Sequence, residues 1–263
     1  MRDIDLKIAT GQTVRQAARV GDWARPTSGL ASGYVQANLA IVPKSYALDF
    51  LTFCLRNPKP CPIVEVCSPG DPEPRTTAPG ADIRTDVPSY RIYKDGQLAE
   101  TTSDITSYWQ DDFVAVLLGC SFTFEWALMA HGIPIAHIDQ GRNVPMYRTN
   151  ISCASAGPFE GPLVVSMRPF PSHLVPSVVA ITQRFPAMHG GPVWIGNPEG
   201  LGIKLDRPDF GDAVDLKPDD VPVFWACGVT PQAVALNARI PLVITHDPGH
   251  MFVTDRFNSE YEV

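Results

Sequence analysis

Residues 111–151 read DDFVAVLLGCSFTFEWALMAHGIPIAHIDQGRNVPMYRTNI. The apolar run from Phe113 to Leu118 lies between two aspartates and Gly119, and it predicts a fully buried strand of a parallel sheet. Gly119-Cys120-Ser121 turns the chain. Ser121 or Thr123 is placed to cap a helix over Phe124 to His131, with Glu125 complementing the positive end of its dipole. A short strand is expected at Ile133 to Ile138. The polar run Gln140 to Asn150 leaves it and carries Arg142 and Arg148. A strand that turns through small residues into a helix N-terminus gathers free backbone N–H groups, the setting in which carboxylates and phosphates bind.

The pattern returns at a constant offset of 107 positions: Asp112 matches Asp219, Cys120 matches Cys227, Thr123 matches Thr230 and Pro134 matches Pro241. The second stretch, DDVPVFWACGVTPQAVALNARIPLVITHDPGH, repeats the order of apolar strand, Cys-containing turn, Thr, helix, Ile-Pro and apolar strand. An internal duplication would bring two helix N-termini, each preceded by a cysteine, to one cleft.

Outward from these units, residues 12–24 read as a helix with Thr13 as its cap, Val35 to Val42 as a strand, and KSYALDFLTFCLRN as a helix with apolar positions at helical spacing. Ile63 to Val66 is a short strand. Cys67 to Val87 is a long Pro- and Gly-rich loop, and Tyr90 to Tyr93 with Lys94-Asp95-Gly96-Gln97 is a β-hairpin. After the central stretch, Gly161 to Met167 is a strand, Ser172 to Arg184 a helix and Pro192 to Ile195 a strand. The expected class is α/β, with a parallel or mixed sheet core built from the two repeated units. That core spans 1–142 and 203–263, and 143–202 forms a smaller inserted α+β lobe.

Composition narrows the functional classes. With 263 residues and a net charge of −7, scattered Lys and Arg provide no basic stripe, which argues against a nucleic-acid partner. No apolar run approaches a membrane span and the N-terminus lacks a signal-peptide core, so the expectation is a cytoplasmic protein without a membrane partner. The six cysteines form no C-x-x-C pair and support neither a disulfide framework nor a zinc site. No Walker loop, Rossmann fingerprint or G-x-S-x-G elbow occurs. No metal and no cofactor is expected, and self-association is left open.

Candidate site residues fall into three groups. Arg142 and Arg168 lie beside strand ends, where a guanidinium fork can clamp a substrate carboxylate, and Asn143, Tyr147 and Asn150 crowd polar groups into the same region. His246 and His250 flank the end of the last strand of the second unit and suit proton transfer. Cys120 and Cys227, with Ser121, Thr123 and Thr230, sit at the two helix N-termini, a setting that favours thiolates. Two facing thiols would resemble a cofactor-independent racemase.

The blocks GCSFTFEWAL, GIPIAHIDQGRNVPMYRTNI, GPLVVSMRP, PVFWACGVTPQ and ITHDPGHMFVTD, with QANLAIVP, ALDFLTFCLRNPKPCP and TDVPSYRIYKDG earlier, resemble the D-glutamate cyclase family, whose bacterial members are described as hydro-lyases. The likeness runs over essentially the whole chain. It implies a cytosolic carbon–oxygen lyase converting D-glutamate to 5-oxo-D-proline with loss of water. No catalytic residue is carried over from it. The reading is therefore a lyase acting on a small amino or hydroxy carboxylic acid, with a two-thiol racemase-like enzyme and a non-catalytic carboxylate-binding protein as alternatives.

Overall fold

In the computed structural model, which describes residues 5–263, the chain builds two antiparallel sheets. β1 (Tyr34–Pro43) lies at the centre of the first and is buried along almost its whole length. β5 (Phe113–Gly119) pairs with β1 from Ala37↔Gly119 to Pro43↔Phe113. β2 (Ile63–Val66) extends that side. On the other side, β1 pairs with both β10 (Val243–His246) and β11 (Phe252–Phe257), and β10 passes the sheet on to the hairpin of β3 (Tyr90–Lys94) and β4 (Gln97–Thr102). Asp95 and Gly96 both take positive φ, 49° and 79°, the conformation demanded by a two-residue turn that matches the twist of its strands. The second sheet runs β6 (Met146–Ser152), β7 (Pro162–Pro171), β9 (Asp220–Ala226) and β8 (Trp194–Ile195).

Every pairing is antiparallel, which corrects the expectation of a parallel or mixed sheet. The error has a physical source: an unbroken apolar run reports burial on both faces, not strand direction. Here both faces are indeed covered. Ala40, Val42, Val114 and Val116 pack under α2 (Lys44–Arg56) and α6 (Thr230–Ala238) through Phe50, Phe53 and Val234. Leu39, Ile41, Ala115 and Leu117 face Ala78, Ile83 and Val87 of the long irregular segment after β2. Burying aliphatic or aromatic side chains this completely contributes about 1.5–3 kcal/mol each.

The second sheet is covered in the same way. α3 (Phe122–Ala130) and α5 (Val175–Thr182) lie on one face through Phe124, Leu128 and Val178 against Phe170 and Trp225. Leu201, Ile203 and Val214 cover the other, against Val165, Met167 and Phe224. The helices therefore bridge the sheets. α3 follows a strand of the first sheet and packs against β1 and the second sheet, whereas α6 follows a strand of the second sheet and packs against β7 and the first sheet.

Two local expectations also change. α1 (Gly11–Arg19) is capped by Thr10, whose hydroxyl accepts from Thr13 N at 3.2 Å, and not by Thr13. The segment Ile133 to Ile138 is not a strand, because α4 (Ala136–Asp139) occupies its end, so only the second of the two similar units continues into a strand after its helix. Among the described residues no helix is long and apolar enough to cross a membrane.

Candidate functional site

The turns after β5 and β9 meet. Cys120 and Cys227 lie in one buried cluster with Phe122, Val229, Val144 and Met251, where the two sheets and their bridging helices join. Asn38 of β1 connects the turns: its Nδ2 donates to Gly119 O at 2.7 Å, and its amide lies so close to Gly228 that a Cβ there would overlap it. Thr230 ties the second turn down, donating to Cys227 O at 2.7 Å and accepting from Val164 N at 3.1 Å. The matching Thr123 is fully buried, and its hydroxyl has no partner among the described residues.

Helix N-termini favour thiolates, but burial outweighs them here. It pushes Cys227 up to about 11 and Cys120 higher still, with only a small opposing contribution from backbone N–H groups. Both thiols are therefore protonated at neutral pH, and two-thiol chemistry would have to ionise them against that burial. Iodoacetamide at pH 7.5 is expected to leave Cys120 and Cys227 unmodified in the folded protein, as read by peptide mass spectrometry. Rapid modification of either would restore the racemase-like reading.

Next to the turns lies a buried charged network. Arg168 of β7 is 0% exposed and Glu125 of α3 only 1%. Arg168 Nε donates to Glu125 Oε1 at 2.7 Å, and Nη2 donates to the same oxygen. Nη1 donates to Ser166 Oγ and Nη2 to Ser121 Oγ, both at 2.9 Å. The guanidinium also lies 5.4 Å from the Phe124 ring and 5.6 Å from that of Trp225. His137, buried on α4, brings Nε2 to 3.4 Å from Glu125 Oε1 and 3.1 Å from Ser28 Oγ, and Ser28 donates to Glu125 Oε2 at 3.3 Å. A carboxylate only accepts, which assigns the His137 proton to Nε2 and leaves Nδ1 a buried acceptor without a partner among the described residues. Burial lowers His137 to about 4, partly opposed by Glu125, so this imidazole is neutral at pH 7.

Glu125 also forms part of a cavity wall. Residues 29–34, Gln36, Phe122, Trp126, Met129 and Asn258 line the remainder of a cavity of about 30 Å³.

The other sequence candidates are distributed unevenly. His246 is fully buried; its Nδ1 lies 3.1 Å from Leu39 N, 3.2 Å from Leu39 O and 3.3 Å from Gln232 Nε2, and its Nε2 has no partner among the described residues. Asn143 and His250 sit at the rim of the Cys120–Cys227 cluster: Asn143 Nδ2 donates to Pro248 O at 3.0 Å, and His250 Nδ1 lies 3.8 Å from Asp247. Three candidates stand apart. Arg142 is at the surface with its fork on Ala213 O and Asp215. Tyr147 donates to Leu205 O, and Asn150 to Gly200 O. A clamp role for Arg142 would require it to leave those partners. Glu125, His137, Ser28, Asn38 and Gln232 were not singled out as site residues from the sequence. The usable signal was Glu125, the sole charge in the helix FTFEWALMA. Among the described residues no three His, Cys, Asp or Glu side chains are grouped to hold one metal ion.

Two antiparallel sheets with their covering helices, meeting at a buried carboxylate–guanidinium–imidazole network, define an α/β protein. The model described as D-glutamate cyclase matches residues 114–255. Proteins named "Putative hydro-lyase" are 64% identical in Rubrobacter xylanophilus (95% of this chain, 96% of the relative), 60% in Stutzerimonas stutzeri (92% of each) and 59% in Bacillus licheniformis (95% and 96%). The chain belongs to the D-glutamate cyclase family. A nitrogen repressor-like protein of known structure from Methanococcus jannaschii aligns over 95% of this chain and 99% of its own at 11% identity, but its TM-score of 0.40 carries no argument.

Proposed function

We propose that the protein is a carbon–oxygen lyase that removes water from a small amino or hydroxy carboxylic acid, with D-glutamate to 5-oxo-D-proline as its leading reaction. The observation that carries this reading is the buried Glu125–Arg168–His137–Ser28 network beside a small cavity that Glu125 helps to line, in a chain of this family. Lactam formation makes one C–N bond and breaks one C–O bond. Both protons that leave the nitrogen depart with the oxygen as water, so the site has only to carry protons from one atom to the other. Glu125 is placed to do this. Arg168 pairs with its carboxylate, and the hydroxyl of Ser28 and the neutral imidazole of His137 hold its orientation. In this reading Arg168, Ser121 and Ser166 position the base, whereas His246, His250 and Asn143 border the junction. The matching registers Pro43↔Phe113 and Pro171↔Asp220 further support a reading of the two sheets as diverged copies, each supplying one turn to the site.

The test is incubation of the purified protein with D-glutamate, L-glutamate and the corresponding 2-hydroxy acids, with products followed by NMR. The expected result is 5-oxo-D-proline from D-glutamate. Glu125→Gln, at a temperature where circular dichroism shows it folded, is expected to lose about 10²–10⁴-fold in kcat. Absence of any dehydrated product across the panel, or an unchanged rate in Glu125→Gln, would overturn the reading.

A further inference from the structure

The cavity beside Glu125 is lined by buried acceptors that find no donor among the described residues. Gln36 makes this case most firmly. Its Nε2 donates to Thr27 O at 3.0 Å and to Leu30 O at 3.1 Å. Carbonyl oxygens only accept, so the orientation of the amide is fixed and Oε1 is the free end; it is buried and has no donor among the described residues. Asn258, 2% exposed and also part of the lining, has an Oδ1 that likewise lacks a donor among the described residues. The third acceptor is Glu125, whose Oε2 receives only the long Ser28 bond at 3.3 Å. Leaving a buried acceptor unpaired costs about 1–3 kcal/mol, so two of them beside a carboxylate form a wall suited to a strong donor. Among the described residues no lysine, arginine or histidine lines the cavity; Tyr34, Phe122 and Trp126 contribute aromatic rings, and Ser32, Tyr34 and Trp126 supply neutral donors. A carboxylate or phosphate would face the charge of Glu125 with no cationic side chain to offset it. A compact cation with several N–H donors would meet acceptors and aromatic rings.

We propose that this cavity is an ammonium subsite, in which Gln36 Oε1, Asn258 Oδ1 and Glu125 receive the primary amine of the substrate. The inference rests on the lyase reading for the word substrate, and it deepens that reading by stating which end of the molecule enters the cavity. The amine enters first, next to the carboxylate that takes its proton, and the acid groups stay nearer the mouth. It also makes an amino acid, in preference to a hydroxy acid, the class that this site is built to bind.

The probe pair is norvaline and pentanoate, the same five-carbon acid with and without its amine. Neither carries a side-chain carboxyl or hydroxyl, so neither can cyclise or lose water. Titration of the wild-type protein by NMR is expected to give norvaline binding about 10-fold tighter than pentanoate or better, the range of one or two hydrogen bonds to a charged group. Asn258→Ala removes a side chain that makes no hydrogen bond among the described residues. It is expected to erase most of that preference while leaving pentanoate affinity unchanged. Met129→Trp, a surface change at the mouth, is expected to weaken norvaline binding without altering the fold. Equal binding of the two probes by the wild type, no norvaline binding at all, or a preference that survives both variants would overturn the subsite. The outcomes separate from those of the lyase reading: norvaline selectivity without product from the acid panel removes the reaction and keeps the subsite, and lactam formation without selectivity does the reverse.

Discussion

Glu125→Leu is expected to lower the free energy of unfolding by about 3–5 kcal/mol, because it leaves the guanidinium of Arg168 buried with no counter-charge. Arg168 is fully enclosed between Phe124 and Trp225 and cannot reach water without opening the contact between α3 and the second sheet. The two serine hydroxyls that remain cannot neutralise it. The double variant Glu125→Leu/Arg168→Met removes both charges and keeps a flexible apolar side chain between the rings. It is expected to regain most of the lost stability while remaining inactive. Urea unfolding of the two variants measures this. A single variant within about 1 kcal/mol of wild type would mean that the pair is hydrated in solution, and a double variant no better than the single would mean that the pair itself, more than its imbalance, holds the sheets together.

The second large effect is acid unfolding. Burial holds His137, His189 and His246 each at about 4. His137 faces Glu125 and Arg168; His189 faces the Lys59 carbonyl; His246 faces the Leu39 backbone, with Asp247 and His250 nearby. A group whose pKa is depressed by folding binds fewer protons in the native state than in the unfolded chain. Its contribution is therefore fully present above about pH 6.5 and is lost as pH falls from there towards 4. Each imidazole contributes a slope of up to about 1.4 kcal/mol per pH unit, and three together approach about 4, against a total stability of roughly 5–15 kcal/mol. The protein is expected to unfold cooperatively between about pH 5 and pH 4. His189→Asn suits a test, since His189 has φ of 75° and asparagine tolerates that conformation. It should flatten the slope of stability against pH by about a third between pH 6 and pH 5. A slope unchanged in this variant would show that His189 titrates normally in the folded state.

The sequence disclosed the strands better than their arrangement. Phe113 to Leu118 and Val35 to Val42 are too uniformly apolar to be anything but buried, and Asp95-Gly96 permits little besides a tight hairpin. Strand direction was not legible, because an apolar run carries no sign of which way its neighbour travels. Ile133 to Ile138 misled for a related reason: its apolar residues serve the contact of α3 with the second sheet, not a strand pairing. At the site, the convergence of Cys120 and Cys227 was legible from the offset of the two units. Glu125 was visible but was read through the helix dipole, since nothing local points to an arginine 43 positions away. Ser28 and Asn38 are ordinary polar residues in sequence, and their proximity to the turns exists only after β1 has joined β5.

The central position of β1 constrains how the chain is made. Its two edges are satisfied at very different times during synthesis: β5 arrives early, but Ala40 and Ile41 wait for Thr245 and Ile244, and Gln36 and Ala37 for Val253 and Phe252. Until β10 and β11 have emerged from the ribosome, the first sheet has an apolar strand with an open edge, the type of surface that recruits other chains. α6 adds to this, since the face that it shares with α2 is only partly covered until it is available. Nascent chains truncated before β10 should therefore be ready clients for holdase chaperones, and β10 and β11 act as the latch that ends that dependence.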